Sequence, residues 1–167
     1  MKILQVCPDS YGVSGGIYVH VRNISERLAK RHDVTVYATN RGLKLPRYEL
    51  RKRVKVERFN CYAPSDAYFF SLEMLLRLRK VKFDVVHAHG YHAFPCHLSV
   101  LANCNKFIVT PHFHGVGHSS FRNALIRLLK PFGAATLRKA DKIVAVSEYE
   151  KSLILEQFGF DSDKVVV

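Results

Sequence analysis

Acidic residues are scarce in this chain of 167 residues: 14 Asp plus Glu stand against 26 Lys plus Arg, a net charge of +12. That balance points to an anionic partner, and nucleic acid, anionic lipid and phosphorylated substrates all answer to it. Cysteine is limited to Cys7, Cys61, Cys96 and Cys104, with no C-x-x-C pair. This argues against a disulfide framework and suits reduced, partly buried thiols in a cytoplasmic protein. No apolar run reaches the roughly 18 residues of a membrane span. The opening MKILQVCPDS is too short in apolar length and too soon charged for a signal peptide. Low-complexity tracts are missing too, and with 48% hydrophobic residues the chain can build one domain with its own core.

What is present is a near-regular alternation of apolar runs and helical periodicity. It predicts strands at 2–7, 33–39, 54–60, 84–89, 106–111 and 142–147, and helices at 16–31, 66–81, 92–103, 119–139 and 148–158. Most strands are continuous Val/Ile runs, the pattern of a parallel sheet covered on both faces. The expected fold is therefore α/β: a Rossmann-like, doubly wound, mostly parallel sheet with helices on both faces. Ligands are expected beyond the carboxyl ends of its strands. Pro131 is expected to kink helix 119–139 or divide it. After the turn-rich FGFDSDK, the final VVV reads as the start of another strand. The expectation is one domain over 1–167, cut before a second, carboxy-terminal domain.

Polar residues gather at three predicted strand ends. PDSYGVSGGIYVHV carries Gly12, Gly15 and Gly16 between strand and helix but does not fit G-x-G-x-x-G. Gly15 and Gly16 either serve a tight turn or let a ligand approach backbone that a Cβ would shield. His20 follows one helical turn later. In DVVHAHGYHAF, His87 and His89 share one face of a strand, with His92 and His97 next, and HFHGVGH brings His112, His114 and His118. His-x-His on a strand can bind zinc. The carboxylates that would complete a hydrolytic metal centre are missing nearby, and Asp84 is at the wrong end of its strand, so the expectation is no metal. One or two of these histidines then line a polar cleft. In KIVAVSEYEKSLI, Ser147 ends a strand and caps the next helix, with Glu150 in the capping-box position.

A fourth feature is SDAYFFSLEMLLRLRKVK, residues 65–82. On a helical wheel its apolar residues, Phe69 and Phe70 through Val81, cover more than the ~100° needed to dock on a sheet. Arg77, Arg79, Lys80 and Lys82 flank them. Such a helix is either buried on two sides or touches an anionic membrane surface. Arg122, Arg127, Lys130, Arg138 and Lys139 add to the basic side.

Taken together, GGIYVHV, DVVHAHG, TPHFHG and ADKIVAVSEYEKSLI resemble the amino-terminal domain of family 4 retaining glycosyltransferases of the GT-B fold, over essentially the whole chain. The resemblance implies an acceptor-side domain facing a nucleotide-sugar-binding domain across a cleft. It implies a nucleotide-sugar as co-substrate, no cofactor, no required metal, and a carbohydrate or lipid-linked acceptor. By the same resemblance Gly15 and Gly16 lie against the donor diphosphate and His112 stands beside the transferred sugar as the catalytic residue. Ser147 joins the donor side, and His20 and His89 the acceptor side. The chain alone is then expected to be inactive, because the family's diphosphate-gripping residues lie in the other domain.

Two other readings remain open on sequence. An NADP-dependent oxidoreductase is suggested by Arg41, at the end of strand 33–39, where a ribose 2′-phosphate would sit. A nucleic-acid-binding module is suggested by the charge, but it needs basic and aromatic residues on an exposed sheet. No nucleic-acid partner is expected.

Overall fold

The computed structural model describes residues 1–12, 15–40, 42–62, 70–115 and 120–167, with backbone alone for 120–129. Arg41, His118 and residues 65–69 lie outside the described residues, as do the side chains of Arg122 and Arg127.

The strands are β1 (Lys2–Cys7), β2 (Asp33–Asn40), β3 (Tyr48–Arg51), β4 (Val54–Asn60), β5 (Lys82–His89), β6 (Asn103–Thr110), β7 (Lys142–Val144) and β8 (Val165–Val166). The helices are α1 (Gly16–Leu28), α2 (Leu72–Leu78), α3 (Phe94–Leu98), α4 (Ser120–Lys139) and α5 (Glu148–Phe158). The strands form one sheet in the order β3-β4-β2-β1-β5-β6-β7-β8. Every pairing is parallel except β3 with β4. The chain steps outward from β1 to β2 and β4, then returns to β5 on the other side of β1. That reversal opens a crevice at the carboxyl ends of β1 and β5, the place where such sheets bind ligands.

Side-chain alternation divides the core between the two faces. On one, Ile3, Cys7, Val34, Val36, Val54 and Val56 pack against Tyr18 and Val21 of α1. On the other, Leu4, Val6, Tyr37, Val86 and Val109 pack against Met74 and Leu78 of α2, Cys96 of α3, Leu137 of α4 and Ile154 of α5. Both faces are thus covered. All four cysteines are free thiols, Cys7 and Cys96 buried and Cys61 and Cys104 partly so.

Several boundaries differ from the sequence reading. β4 matches the strand expected over 54–60, but β3 and its hairpin with β4 were not expected. Its two-residue turn puts Lys52 and Arg53 at φ 47° and 69°, the geometry of a type I′ turn without the Asn-Gly or Asp-Gly that normally announces it. Of the helix expected over 66–81, the described residues keep α2: Phe70 bridges Tyr62 in extended form, and Lys82 belongs to β5. Ser71 starts α2, its Oγ accepting from Met74 N at 3.2 Å and donating to Asn60 O at 2.7 Å. The wide apolar stripe is not fully covered: Leu72 and Leu76 stay 59% and 50% exposed. The helix expected over 92–103 gives way after Leu98 to a short 3-10 turn, Ser99–Leu101, and β6 begins at Asn103. α4 runs through Pro131 as one helix. β7 ends at Val144, so Ser147 stands three residues beyond the strand instead of at its end.

Candidate functional site at the carboxyl rim

The strand sequence VVHAH already contains an anomaly. In a strand buried on both faces, alternate positions should be apolar on each side, yet His87 and His89 share the α1 side with Gln5 of β1 and Thr110 of β6. Gln5 is the register partner of His87, and Thr110 of His89. A polar seam thus replaces the apolar cover where β1, β5 and β6 meet. Two hydrogen bonds join its members: His87 Nε2 lies 2.8 Å from Thr110 Oγ1, and His89 Nε2 lies 2.7 Å from Gln5 Oε1, while Gln5 Nε2 and His89 Nδ1 are left buried without a partner among the described residues.

His20 of α1 and His112, just past β6, close over this seam. The His20 ring stands 5.1 Å from His112 and 5.6 Å from His89 between centroids, and His89 and His112 are 6.0 Å apart. Burial lowers the basicity of all four histidines. His87 is pushed down to about 3 and His112 to about 4, with neighbouring histidines adding repulsion. His89 falls well below its ordinary value and His20 falls as well. These imidazoles are neutral at neutral pH, because water no longer stabilises the cation.

The loop bearing His112 is held from both sides. His112 has φ 50°, a left-handed conformation that costs a non-glycine residue about 1–2 kcal/mol. Before it, Pro111 O accepts from Tyr91 N at 2.6 Å. After it, Phe113 N donates to Glu150 Oε1 at 2.5 Å, while Val146 N donates to Glu150 Oε2 at 2.7 Å. Glu150 is 3% exposed, so one buried carboxylate ties the His112 loop to the start of α5. The N-cap expected at Ser147 is present, with Glu150 N donating to Ser147 Oγ at 3.1 Å. The reciprocal half of the capping box is replaced: the Glu150 side chain reaches Phe113 and Val146, not the Ser147 amide.

The glycine loop is anchored by Arg58. This side chain is buried in β4, donating to Tyr11 O at 2.6 Å, Pro46 O at 2.9 Å and Glu49 Oε2 at 2.5 Å. Gly15 is the N-cap of α1 and has no side chain with which to cap the first amides of the helix. A Cβ on Gly15 would meet Asp9 Oδ2 at 3.3 Å, whereas one on Gly16 would meet nothing within 4 Å. Among the described residues, nothing requires glycine at Gly16.

Of the residues singled out from sequence, His20, His89 and His112 come together, with His87 beside them. His89 is sealed from solvent, so contact with a solute falls to the partly exposed His20 and His112. Gly15, Gly16 and Ser147 lie at the starts of α1 and α5 on the same rim. His97 is spent on Thr136 Oγ1 at 2.9 Å, and His114 is exposed. Gln5, Arg58 and Glu150 went unrecognised as supports of the site. The first two carried a usable signal: a polar or charged residue inside a strand otherwise apolar. A cavity of about 630 Å³ opens among Lys2, Asp33 and Lys82, at the amino ends of β1, β2 and β5 and away from this rim.

Known proteins share this fold. Residues 14–167 match the family model described as Glycosyltransferase Family 4. An uncharacterized glycosyltransferase from Methanocaldococcus jannaschii is 27% identical over 175 aligned positions, covering 92% of this chain and 43% of that protein. The structure of sucrose-phosphate synthase from Thermosynechococcus elongatus superposes with a TM-score of 0.68 at 15% identity, over 94% of this chain and 45% of that one. The chain spans less than half the length of either. The fold is the one the sequence led us to expect.

Proposed function

The chain belongs to glycosyltransferase family 4, and from that premise we propose that it is the acceptor-side domain of a retaining enzyme that moves a sugar from a nucleotide-sugar to an acceptor. One observation carries the reading: the glycine start of α1 at Gly15 and Gly16, the His20–His112 pair and the start of α5 at Ser147 share the rim at the switch point of the sheet. Free amides at a helix start suit a diphosphate, and the open space at Gly16 lets it approach the backbone. The leaving nucleoside diphosphate would be stabilised there as charge develops, with Ser147 on the donor side. A second domain would grip most of the nucleotide. His112, neutral and fixed in position, would hydrogen-bond a hydroxyl of the transferred sugar, while His20, backed by His89, would face the acceptor. No step in this scheme requires a metal ion.

The acceptor we propose has an apolar part. Tyr62, Phe70, Leu72 and Leu76 line an open cavity of about 570 Å³ beside Asn60, at the carboxyl end of β4 and so on the same rim. The exposed Arg79 and Lys80 follow at the end of α2 and would meet an anionic membrane surface or a lipid-linked phosphate. Among the described residues, no helix is long and apolar enough to cross a membrane.

The test is turnover of a panel of nucleotide-sugars by the full-length protein, read as release of nucleoside diphosphate, with the anomeric configuration of the product determined by NMR. His112→Ala is expected to lower kcat/KM by about 100-fold or more, the scale of losing one polar contact at the reacting centre. Gly16→Val is expected to fold normally and bind donor poorly. Wild-type turnover in both variants would refute the assignment of this rim.

A further inference from the structure

We propose that the free edge of β3 pairs with β3 of a second copy of this chain, joining two sheets into one across a twofold axis at Leu50. β3 is an outermost strand, at the opposite end of the sheet from β8. It runs antiparallel to β4, with Tyr48 opposite Glu57 and Leu50 opposite Lys55. Hydrogen-bonded pairs alternate along such a ladder. Arg58 N donates to Arg47 O at 2.8 Å, so Arg47, Glu49 and Arg51 turn their backbone groups toward β4. The N–H and C=O of Tyr48 and Leu50 therefore point away from the sheet, and no backbone group among the described residues takes them. Edge strands are ordinarily guarded by charge, proline or a bulge. Here both outward positions carry large apolar side chains, 65% exposed at Tyr48 and 73% at Leu50.

A second copy is the occupant this edge fits, because the strand is complementary to itself. Antiparallel pairing centred on Leu50 sets Leu50 against the partner's Leu50, and Glu49 against the partner's Arg51, twice by symmetry. The parity is right: Leu50 has its N–H and C=O outward, so the central pair exchanges both of its hydrogen bonds. Glu49 and Arg51 form the closer, non-hydrogen-bonded pairs on the other face, where opposite charges favour association. Centring on Glu49 instead would set two carboxylates against each other and give the central pair no outward backbone groups. Glu49 accepts from Arg58 at 2.5 Å, but its side chain stays 32% exposed, so a second cation can reach it. Arg51 makes no ion pair among the described residues; its guanidinium lies near Gly12 and would turn outward to meet the partner's Glu49. Such an interface is isologous and closes at two copies. It uses none of the rim residues and does not depend on the glycosyltransferase reading.

The experiment is analytical ultracentrifugation of the full-length protein across a range of concentrations. A contact of this size lies at the small end of interfaces, so monomer is expected to dominate at about 0.1 µM and dimer at about 100 µM. Arg51→Glu gathers four carboxylates on the paired edge and is expected to weaken association about 10-fold or more. Leu50→Pro deletes the central outward donor, a change that edge strands tolerate, and is expected to give a monomer with wild-type circular dichroism. Register is read by mild oxidation of cysteine variants. Leu50→Cys is expected to form a disulfide-linked dimer, because hydrogen-bonded partners stand about 5.5 Å apart at Cα, within disulfide range. Tyr48→Cys would stand roughly 14 Å from its own copy and is expected to link no more than wild type, whose Cys61 and Cys104 are partly buried. A monomer at the highest concentration, undiminished association in Arg51→Glu and Leu50→Pro, or linking through Tyr48→Cys instead of Leu50→Cys would each overturn the proposal.

Discussion

Glu150→Gln separates two accounts of the same glutamate. If Glu150 only completed a capping box on Ser147, its replacement by glutamine would cost little, because Gln also serves at that position. In the structure its carboxylate instead takes the amides of Phe113 and Val146, at 2.5 Å and 2.7 Å, in a site closed to water. Hydrogen bonds to a charged acceptor contribute about 1.5–3 kcal/mol each. Glutamine keeps one oxygen, so one of the two bonds survives in weaker, neutral form. Its amide group must then face a backbone N–H, donor against donor.

The sum is a loss of about 3 kcal/mol, a substantial part of the 5–15 kcal/mol that typically holds a domain together. For a chain of this size it corresponds to a fall in Tm of about 6–12 °C. Thermal unfolding followed by circular dichroism reads it directly. Ser147→Ala gives the scale for comparison, since losing the cap bond alone costs about 1 kcal/mol, or about 2–4 °C. Equal shifts in the two variants would refute the reasoning and return Glu150 to an ordinary cap. A further signature lies in the function: His112 is strained and loses one of its two anchors, so turnover should fall in Glu150→Gln even well below the new Tm.

Two other perturbations test the packing and the polar seam. In Gly133→Ala the added Cβ would lie 2.2 Å from Tyr91 Oη and 2.3 Å from the ring; because Tyr91 is buried, we expect a loss of about 1–3 kcal/mol despite alanine's better helix propensity, and an unchanged or raised Tm would show that the ring yields freely. Acid should destabilise the chain before its carboxylates titrate. His87 is neutral in the fold, with its pKa near 3, but protonates at about 6.5 when unfolded. Its contribution is therefore fully present above pH 6.5 and lost as the pH falls from there toward 3, with about 2 kcal/mol gone by pH 5. His89 and His112 shift the same way. A Tm that stays constant between pH 7.5 and 5 would mean that the seam is hydrated.

The sheet could be read from the chain because its strands carry their own signature. VYAT and FIVT are continuous runs of residues that suit burial on both faces, and the helices between the strands set the parallel order. What escaped lacked a local signal. The β3–β4 turn is made by Lys52 and Arg53, in a conformation ordinarily marked by Asn or Gly. The helix expected over 66–81 has good periodicity, but pairing overrode it at Phe70, which is extended against Tyr62. α4 is not divided at Pro131: it runs on past the proline, and Leu137 docks in the core.

The site was legible in a different way. Histidines at alternate positions of an otherwise apolar strand marked a polar seam, and strand-end position put His112 and the glycine loop on its rim. Which of those histidines meet was not legible, because His20, His89 and His112 are brought together only by the packing of α1 over β5 and β6. Their supports were hidden for the same reason. Gln5 looks like a lapse in an apolar strand until it is seen to bond His89, and Glu150 looks like a helix cap until its carboxylate is seen on Phe113 N. The supports are long-range in sequence and short-range in space: Gln5 and His89 are 84 residues apart, Glu150 and Phe113 37. Such pairs lie beyond any periodicity, yet they decide which nitrogen of His89 is free and how firmly His112 is aimed. Local pattern thus located the rim, while the chemistry available there depends on contacts that only the folded sheet makes.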